Sequence, residues 1–312
     1  MNTSPAEARL LRYTGFQMYE DCQPQRSQRN HYFLRRPLCA LWLFIYVKTA
    51  VFAEPMDLQL AGKVGVVTGA SRGIGRAIAQ TLSGEGMRLA LVARSRDQLE
   101  ELSASLGPES LIQAADLRAP EAPAIVVAAT LERFGRLDLL VNNAGATKRG
   151  DFFSLSDDDW IDGFALKFYG AMRFSRAAWP YLQAGGGSIV NIAGVGGRTG
   201  SADFTIGGAV NSALLNLTKA LADRGVIDGV RVNAINPGSI VTERLKHRLR
   251  TLAAEQGVEE AEAARAMTLA SRVARFGEPI EIARAVAFLA SPHANYIQGA
   301  LLDIDGGQTR TI

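Results

Sequence analysis

The sequence has few cysteines and histidines, and both shortages exclude classes of site. Both cysteines, Cys22 and Cys39, lie near the N-terminus, so residues 56–312 contain none. That part of the chain therefore has neither a disulfide framework nor a cysteine metal site. Three histidines remain, namely His31, His247 and His293. Because they are too far apart for a short-spaced metal motif, we expect them at the surface and predict no bound metal.

Most of the chain also has no excess of either positive or negative charge. Residues 1–55 carry seven Lys/Arg against four Asp/Glu, which accounts for the whole net charge of +3. Residues 56–312 carry 27 basic and 27 acidic side chains. Since nucleic-acid binding needs clustered, surplus Lys and Arg, we expect no nucleic-acid partner. The length of this neutral part suits one α/β domain with a sizeable core.

The N-terminal segment, residues 1–55, differs from the rest. Residues 35–53 combine an arginine pair, a short apolar run broken by Lys48 and a final Val-Phe-Ala, which resembles a signal peptide. The run is too short for a membrane span, so a membrane anchor is disfavoured. The alternatives are export and translation from an upstream start, with Met56 as the natural beginning. We favour the second, and with it a cytoplasmic location, because export would separate the protein from a cytosolic nucleotide.

Short apolar runs alternate with helical patterns from Val64 onward. Strands are predicted at 64–68, 88–93, 111–115, 139–142, 188–192, 230–235 and 301–304. Helices are predicted at 74–84, 96–106, 122–134, 157–182, 206–222 and 278–290. The strands show little alternation, as is typical of parallel strands covered on both faces. The pattern therefore predicts an α/β fold with a doubly wound, seven-stranded parallel sheet.

Residues 240–275 contain no strand pattern. Their charged, Ala-rich composition predicts one or two helices outside the sheet. We interpret this segment as a lid over the ligand crevice, and a surface helical insertion is the alternative.

A glycine-rich turn follows the first strand. The sequence Thr68-Gly69-Ala70-Ser71-Arg72-Gly73-Ile74-Gly75 comes directly after an apolar run and opens a helix. Glycines there allow a tight turn, close approach of phosphate and close helix–strand packing, while the helix N-terminus attracts the pyrophosphate. In this context the pattern predicts a dinucleotide site.

The end of the second strand indicates which dinucleotide binds. An acidic side chain there hydrogen-bonds the ribose 2′-hydroxyl of NAD(H), whereas a basic side chain there binds the 2′-phosphate of NADP(H). This strand ends without an acid and continues Arg94-Ser95-Arg96. With Arg72 also near, we predict NADP(H) in preference to NAD(H), and an exposed position for Arg96.

Further motifs follow in a fixed order. They are Asp116-Leu117, Asn142-Asn143-Ala144-Gly145, Asn233 through Pro237-Gly238 with Thr242, and Gly299 with Asp305-Gly306-Gly307. With the glycine-rich turn, they resemble the short-chain dehydrogenase/reductase family from about Met56 to the C-terminus. The resemblance implies a single-domain Rossmann fold that transfers a hydride between NADP(H) and a small carbonyl or alcohol substrate. It implies a homotetramer or homodimer through helices 157–182 and 206–222.

The resemblance also implies a set of cofactor contacts. These are Thr68, Gly69, Ser71, Arg72, Gly73, Ile74, Gly75, Arg94, Ser95, Asp116, Leu117, Asn143, Ala144, Gly145, Pro237, Gly238 and Thr242.

The resemblance breaks at the catalytic positions, where the family usually has Asn, Ser, Tyr and Lys. Neighbouring residues place Lys167 at the Asn position and Asn211 at the Lys position. They place Gly194 and Gly207 at the Ser and Tyr positions, and neither glycine can move a proton. None of the three tyrosines within residues 56–312 lies near 205–211, so a small shift of alignment does not restore the pair.

Two interpretations follow from this break. In a remodelled enzyme, Lys167 supplies a cation whose pKa is lowered by burial, and Asn211 bonds the ribose. In a non-catalytic sensor or structural subunit, cofactor binding persists without turnover. We favour the enzyme because the cofactor motifs and the lid segment are intact.

Candidate substrate contacts surround these positions. The crevice is predicted between residues 146–151, 194–205 and 240–275, at the carboxyl ends of the strands. Polar candidates are Ser201, Asp203 and Thr205, and apolar candidates are Phe152, Phe153, Trp160 and Phe204. Lys148 and Arg149 favour an acidic substrate if they face the crevice, and are otherwise solvated surface charges.

Overall fold

The computed structural model of the protein describes residues 56–310, and from Asp57 onward the chain forms one compact unit. The predictions for residues 1–55, including the signal-like segment 35–53, lie outside the described residues. Within 56–310, no helix combines the length and apolar character that crossing a bilayer requires.

A parallel sheet of seven strands forms the centre of this unit. The strands are β1 Val64–Thr68, β2 Arg88–Ala93, β3 Ser110–Ala114, β4 Leu139–Asn142, β5 Ser188–Ile192, β6 Arg231–Pro237 and β7 Leu301–Ile304. Their order in the sheet is β3-β2-β1-β4-β5-β6-β7, and each neighbouring pair is parallel. The order reverses between β1 and β4, which places a crevice at their carboxyl ends. The predicted doubly wound fold is confirmed.

Helices cover both faces of the sheet. They are α1 Gly73–Gly84, α2 Arg96–Ala104, α3 Ala122–Phe134, α4 Asp157–Phe164, α5 Gly170–Gly185, α6 Thr205–Asp228, α7 Glu243–Gln256, α8 Glu260–Ser271 and α9 Pro279–Ala290. Helices α1, α2 and α9 contribute apolar side chains to one core cluster, and α3 and α5 contribute to the cluster on the opposite face. The helices that connect the strands therefore shield both faces of the sheet from water.

The predicted helix 157–182 is interrupted. One turn of π-helix, Ala165–Tyr169, separates α4 from α5. Such a turn carries one extra residue, which changes the direction of the side chains around it and frequently marks a functional site. The predicted helix 206–222 is longer, since α6 continues to Asp228 and ends at Gly229 in the left-handed conformation. Segment 240–275 forms two helices, α7 and α8, as predicted.

A buried amide network fixes the two long helices against the strands. The side-chain amide of Asn142 on β4 donates to Asn191 on β5 at 2.9 Å and to Ser175 on α5 at 3.2 Å. Asn191 in turn donates to Thr218 on α6 at 2.9 Å. Because buried amides are costly to leave unpaired, this network restricts where α5 and α6 lie relative to the strand ends.

Candidate active site

A cavity of about 1050 Å³ opens at the carboxyl ends of the strands. All three predicted walls, 146–151, 194–205 and 240–275, contribute lining residues. The predicted contacts that line it are Gly69, Ser71, Arg72, Gly73, Ile74, Gly75, Arg94, Ser95, Asp116, Leu117, Asn143, Ala144, Gly145, Lys167, Gly194, Asn211, Pro237, Gly238 and Thr242. Residues from distant parts of the sequence therefore share one cavity, as the motifs predicted.

Thr68, one of the predicted cofactor contacts, connects two strand ends. It does not line the cavity, and its hydroxyl donates to Val141 O at 3.1 Å. The same hydroxyl oxygen accepts from the backbone N–H groups of Asn143 at 2.9 Å and Ala144 at 3.1 Å. Thr68 therefore ties the end of β1 to the end of β4, and this places the glycine-rich turn.

The glycine-rich turn has no room for side chains at two points. Gly69 has φ +67°, a left-handed backbone that favours glycine. A Cβ added at Gly75 would lie 2.1 Å from the carbonyl oxygen of Gly69 and 2.4 Å from the Asn143 amide nitrogen. Asn143 also donates to the carbonyl of Thr68 at 2.9 Å. The turn and the loop after β4 are thus closely packed, which fixes the start of α1.

The N-terminus of α1 faces the cavity without a side-chain cap. By contrast, the Ser156 side chain caps α4 by accepting from the backbone N–H of Asp159. Uncapped N–H groups and the positive end of the helix dipole make this turn suited to an anion. Arg72, the residue that precedes the helix, adds a cation at the same place.

Arg94 and Ser95 line the cavity at the end of β2, and Arg96 does not. Arg96 is exposed and lies 3.6 Å from Glu100, as expected for a solvated residue. Arg72 and Arg94 both line the cavity, Arg72 at the start of α1 and Arg94 directly after β2.

Lys167 reaches into the cavity from the π-helical turn. Its ammonium group donates to the backbone oxygen of Ala193, at the end of β5, over 2.5 Å. The aliphatic part of its side chain packs on Gly145, where an added Cβ would lie 2.9 Å from Lys167 Cδ. Burial, with a smaller contribution from the positive charge of Arg244, lowers the pKa of Lys167 to about 7. The amine can therefore exchange a proton near neutral pH.

Asn211 lies beside Gly194, which comes shortly after the same strand end. Its side chain is buried, with 3% of its surface exposed, and Oδ1 finds no hydrogen-bond partner within residues 56–310. Its Nδ2 lies 3.0 Å from the position of a Cβ at Gly194. Oδ1 is shielded from the cavity as well as unpaired, so a ligand hydroxyl would reach it only after the side-chain amide turns.

The Phe204 ring fills the space beside Gly207. A Cβ added at Gly207 would lie 2.0 Å from Phe204 Cζ, and one at Gly196 would lie 2.9 Å from Cε1. Gly207 consequently does not line the cavity, whereas Phe204 does. Phe204 precedes α6 and has a non-helical backbone, so helical spacing did not indicate this contact.

The predicted substrate contacts divide into two groups. Ser201, Asp203, Phe204 and Arg149 line the cavity. Thr205 lines a smaller neighbouring pocket, and Phe152, Phe153 and Trp160 line neither. Lys148 turns away and forms an ion pair with Asp159 at 2.9 Å. The apolar and basic wall that the sequence predicted is thus reduced to Phe204 and Arg149.

Helix α7 supplies lining residues that the sequence reasoning missed. Arg244, His247 and Arg248 project into the cavity. Arg244 donates to the backbone oxygen of Gly145 at 2.8 Å, so the lid segment contacts the loop after β4. The only available sign was their spacing, which places positions 244 and 248 on one face of a helix. His247 is exposed, as predicted, and its exposed side chain lines the cavity.

The cavity residues fit a phosphorylated dinucleotide. An uncapped helix N-terminus, two arginines and an unpaired buried amide acceptor lie along one cavity. Among residues 56–310, no group of three or more His, Cys, Asp or Glu side chains is placed to hold a metal ion.

Known proteins resemble this chain over the same region. A family profile described as enoyl-(acyl carrier protein) reductase matches residues 69–309. The 3-oxoacyl-(acyl-carrier-protein) reductase of Vibrio cholerae is 36% identical over 252 residues, which cover 80% of this chain and 98% of that protein. An uncharacterized oxidoreductase of Mycobacterium tuberculosis is 35% identical over 256 residues, with 80% and 94% covered.

Solved structures show the same likeness. The L-sorbose reductase of Gluconobacter frateurii, complexed with NADPH and L-sorbose, superposes with a TM-score of 0.79. The two are 33% identical, and the match covers 82% of this chain and 100% of that one.

Proposed function

The chain belongs to the short-chain dehydrogenase/reductase family, and we propose that it is an NADP(H)-dependent oxidoreductase with a remodelled catalytic site. It transfers a hydride between the nicotinamide and a carbonyl or alcohol carbon of a small molecule. The observation that carries the proposal is the position of Lys167, whose amine lies inside the dinucleotide cavity with a pKa of about 7.

The preference for NADP(H) rests on two kinds of support. Arg72 and Arg94 both line the cavity, and the acid that would read a ribose 2′-hydroxyl is missing from the end of β2. The structures of L-sorbose reductase and of actinorhodin polyketide ketoreductase were determined with NADPH.

Replacing Arg94 by Gln is expected to weaken NADPH binding by about ten- to a hundredfold and NADH binding little. A hydrogen bond to a charged group contributes about 1.5–3 kcal/mol, and Arg94 is assigned to the phosphate that NADH lacks. Fluorescence titration of both nucleotides measures the change. Arg96→Gln is the matched control because Arg96 lies outside the cavity. Equal loss of NADPH and NADH affinity would contradict the assignment.

Lys167 is the group that we assign to proton transfer. The bound cofactor supplies hydride transfer, and reduction of a carbonyl leaves an oxygen that needs a proton. The Lys167 ammonium donates that proton to the substrate oxygen, and in the reverse direction the neutral amine accepts it. The hydrogen bond to Ala193 O holds the amine at the strand end, so little reorientation is needed.

Asn211 and the glycines complete the proposed site. Asn211 lines the cavity, and its side-chain amide would bond a hydroxyl of the nicotinamide ribose once it turns toward the cofactor. Gly194 carries no side chain, so the substrate carbonyl can approach Lys167 where the family usually has Ser. Helices α7 and α8 serve as the lid that excludes water from this cavity.

A second candidate is a protein that binds NADP(H) without turnover. The observation that favours it is the Phe204 ring, which fills the space beside Gly207 and has no proton to give. Such a protein would act as a sensor or as a structural subunit. Both candidates use the same cofactor cavity, so only turnover separates them.

The experiment that separates them is NADPH fluorescence with the full chain and a panel of carbonyl compounds. Binding raises the fluorescence, and hydride transfer to a carbonyl then removes it. We expect a rise followed by a decay that depends on the carbonyl. A rise without decay across ketones, aldehydes and oxo acids would favour the non-catalytic binder.

We further propose a homodimer or homotetramer formed through α4, α5 and α6. Exposed apolar side chains lie on these helices, namely Ile161, Tyr181, Val226 and Ile227. The proposal rests on the family resemblance, which implies assembly through these helices, because single apolar side chains are common on protein surfaces. Use of a cytosolic nucleotide favours a cytoplasmic location.

A further inference from the structure

A pair of arginines frames the substrate end of the cavity from opposite walls. Arg149 lies on the loop after β4, and Arg248 lies on α7 of the lid. Both face the same carboxylate oxygen of Asp203, with nitrogen–oxygen distances of 2.7 Å for Arg149 and 3.8 Å for Arg248. A protein carboxylate thus lies between two guanidinium groups that line the cavity.

Arg149 is held in a fixed orientation. Its guanidinium carbon lies 4.0 Å from the centroid of the Phe204 ring, so one face of the guanidinium is stacked. The edge of the guanidinium carries its donors, and Nη1 donates to Asp203 at 2.7 Å. A planar, oriented set of donors matches a carboxylate in two-point contact.

Positive charge exceeds negative charge at this end. Arg149 and Arg248 both approach Asp203, Arg244 adds a third positive charge near Arg149, and the other acids that line the cavity have partners of their own. Glu243 pairs with Lys246 at 2.8 Å, and Asp116 pairs with Arg118 at 3.5 Å.

The arginines repel one another. Burial and the positive charge of Arg248 lower the pKa of Arg149, and Arg244 adds to this effect. An additional anion would relieve the repulsion.

We propose that Arg149 and Arg248 bind a carboxylate of the substrate, which makes the substrate a carbonyl compound that is also an organic acid. This inference rests on the proposed function. Arg244 is left to the cofactor, because its other charged neighbour is Arg72 at the start of α1. Asp203 is an internal competitor that occupies the arginines until the substrate carboxylate arrives.

The test measures binding without turnover. Full-length protein loaded with NADP⁺ cannot reduce a ketone, so calorimetry reports affinity alone. The probes are 3-oxo acids of increasing chain length, starting with acetoacetate, each paired with its neutral methyl ester. We expect at least one acid to bind about tenfold or more tightly than its ester, because a charged pair strengthens the hydrogen bonds.

Four variants locate the effect. Arg149→Gln and Arg248→Gln are each expected to remove most of the preference for the acid. Lys148→Gln is the matched control, because Lys148 is next in sequence but pairs with Asp159 outside the cavity. Asp203→Asn is expected to bind the acid several-fold more tightly, since the competitor is lost, and a purely structural ion pair would not give that gain.

Several outcomes would overturn the proposal. The first is that acids and esters bind equally throughout the series, or that neither binds. The second is that folded Arg149 and Arg248 variants keep the wild-type preference for the acid over the ester. The third is that Asp203→Asn binds the acid no more tightly than the wild type. Competition by inorganic phosphate at lower concentration than any acid would assign the site to a phosphoryl group instead. Binding of the acid without turnover under NADPH would keep the anion site and reject the proposed catalysis.

Discussion

Lys167→Met is expected to lower the rate of carbonyl reduction by about 10²–10⁴-fold, the usual contribution of a positioned general acid. Met keeps the apolar part of the side chain that packs on Gly145 and removes only the amine. The affinity for NADPH is expected to change little, because the phosphate contacts lie elsewhere in the cavity. Stopped-flow measurement of NADPH oxidation, together with a fluorescence titration, separates the two effects.

The pH dependence follows from the same group. Lys167 donates its proton only as the ammonium, so the reduction rate should be highest below about pH 7 and fall as pH rises through that value. Alcohol oxidation needs the neutral amine and should show the opposite trend. In Lys167→Met the residual rate should lose this dependence in both directions.

Stability provides the control for Lys167→Met. Because burial lowers the pKa of Lys167 from 10.5 to about 7, the unfolded chain binds more protons between these values. The contribution of Lys167 to stability therefore rises with pH across that window, and it is unfavourable below it. The Met variant should consequently melt no lower than the wild type at neutral pH. Lys148→Met removes a surface lysine instead and should leave the rate unchanged.

A different result would reject the role of Lys167. If Lys167→Met folds, binds NADPH and reduces the carbonyl at the wild-type rate, another group supplies the proton.

Gly75→Ala is expected to abolish NADPH binding and to destabilise the protein by about 1–3 kcal/mol or more. The added Cβ would lie 2.1 Å from the carbonyl oxygen of Gly69 and 2.4 Å from the Asn143 side chain. The first of these is backbone, which cannot move without opening the turn that holds the phosphates. Thermal melts and a fluorescence titration measure the two losses.

Gly84→Ala is the matched control for this substitution. It makes the same change at the other end of α1, where an added Cβ meets nothing within 4 Å. Because alanine is the better helix former, Gly84→Ala should stabilise the helix slightly, by up to about 1 kcal/mol. If both variants bind NADPH equally, close packing at Gly75 is not what shapes the phosphate site.

Much of the fold was predictable because its signals are local. Short apolar runs marked the strands, and the glycine-rich turn followed β1 as its sequence context required. The predicted helix 157–182 was wrong in one respect, since a π-helical turn interrupts it. No residue type marks such a turn, so the helical pattern of this segment did not indicate it.

The sequence predicted many of the residues that line the candidate site, but not which of them contact one another. The motifs placed Lys167 and Asn211 together, and both line the cavity. The different directions of Lys148 and Arg149 were not predictable, because adjacent residues in a loop have no fixed periodicity. The approach of Arg248 to Asp203 depends on where the lid packs, and no local pattern contains that information.

The contact between Phe204 and Gly207 limits how this active site can change over generations. A tyrosine at position 207 would meet the Phe204 ring at its Cβ, so that ring would first have to turn away. Gly194 and Asn211 would still stand where the family usually has serine and lysine. A return to the usual set of catalytic residues therefore takes several changes that must fit one another, and no single substitution accomplishes it.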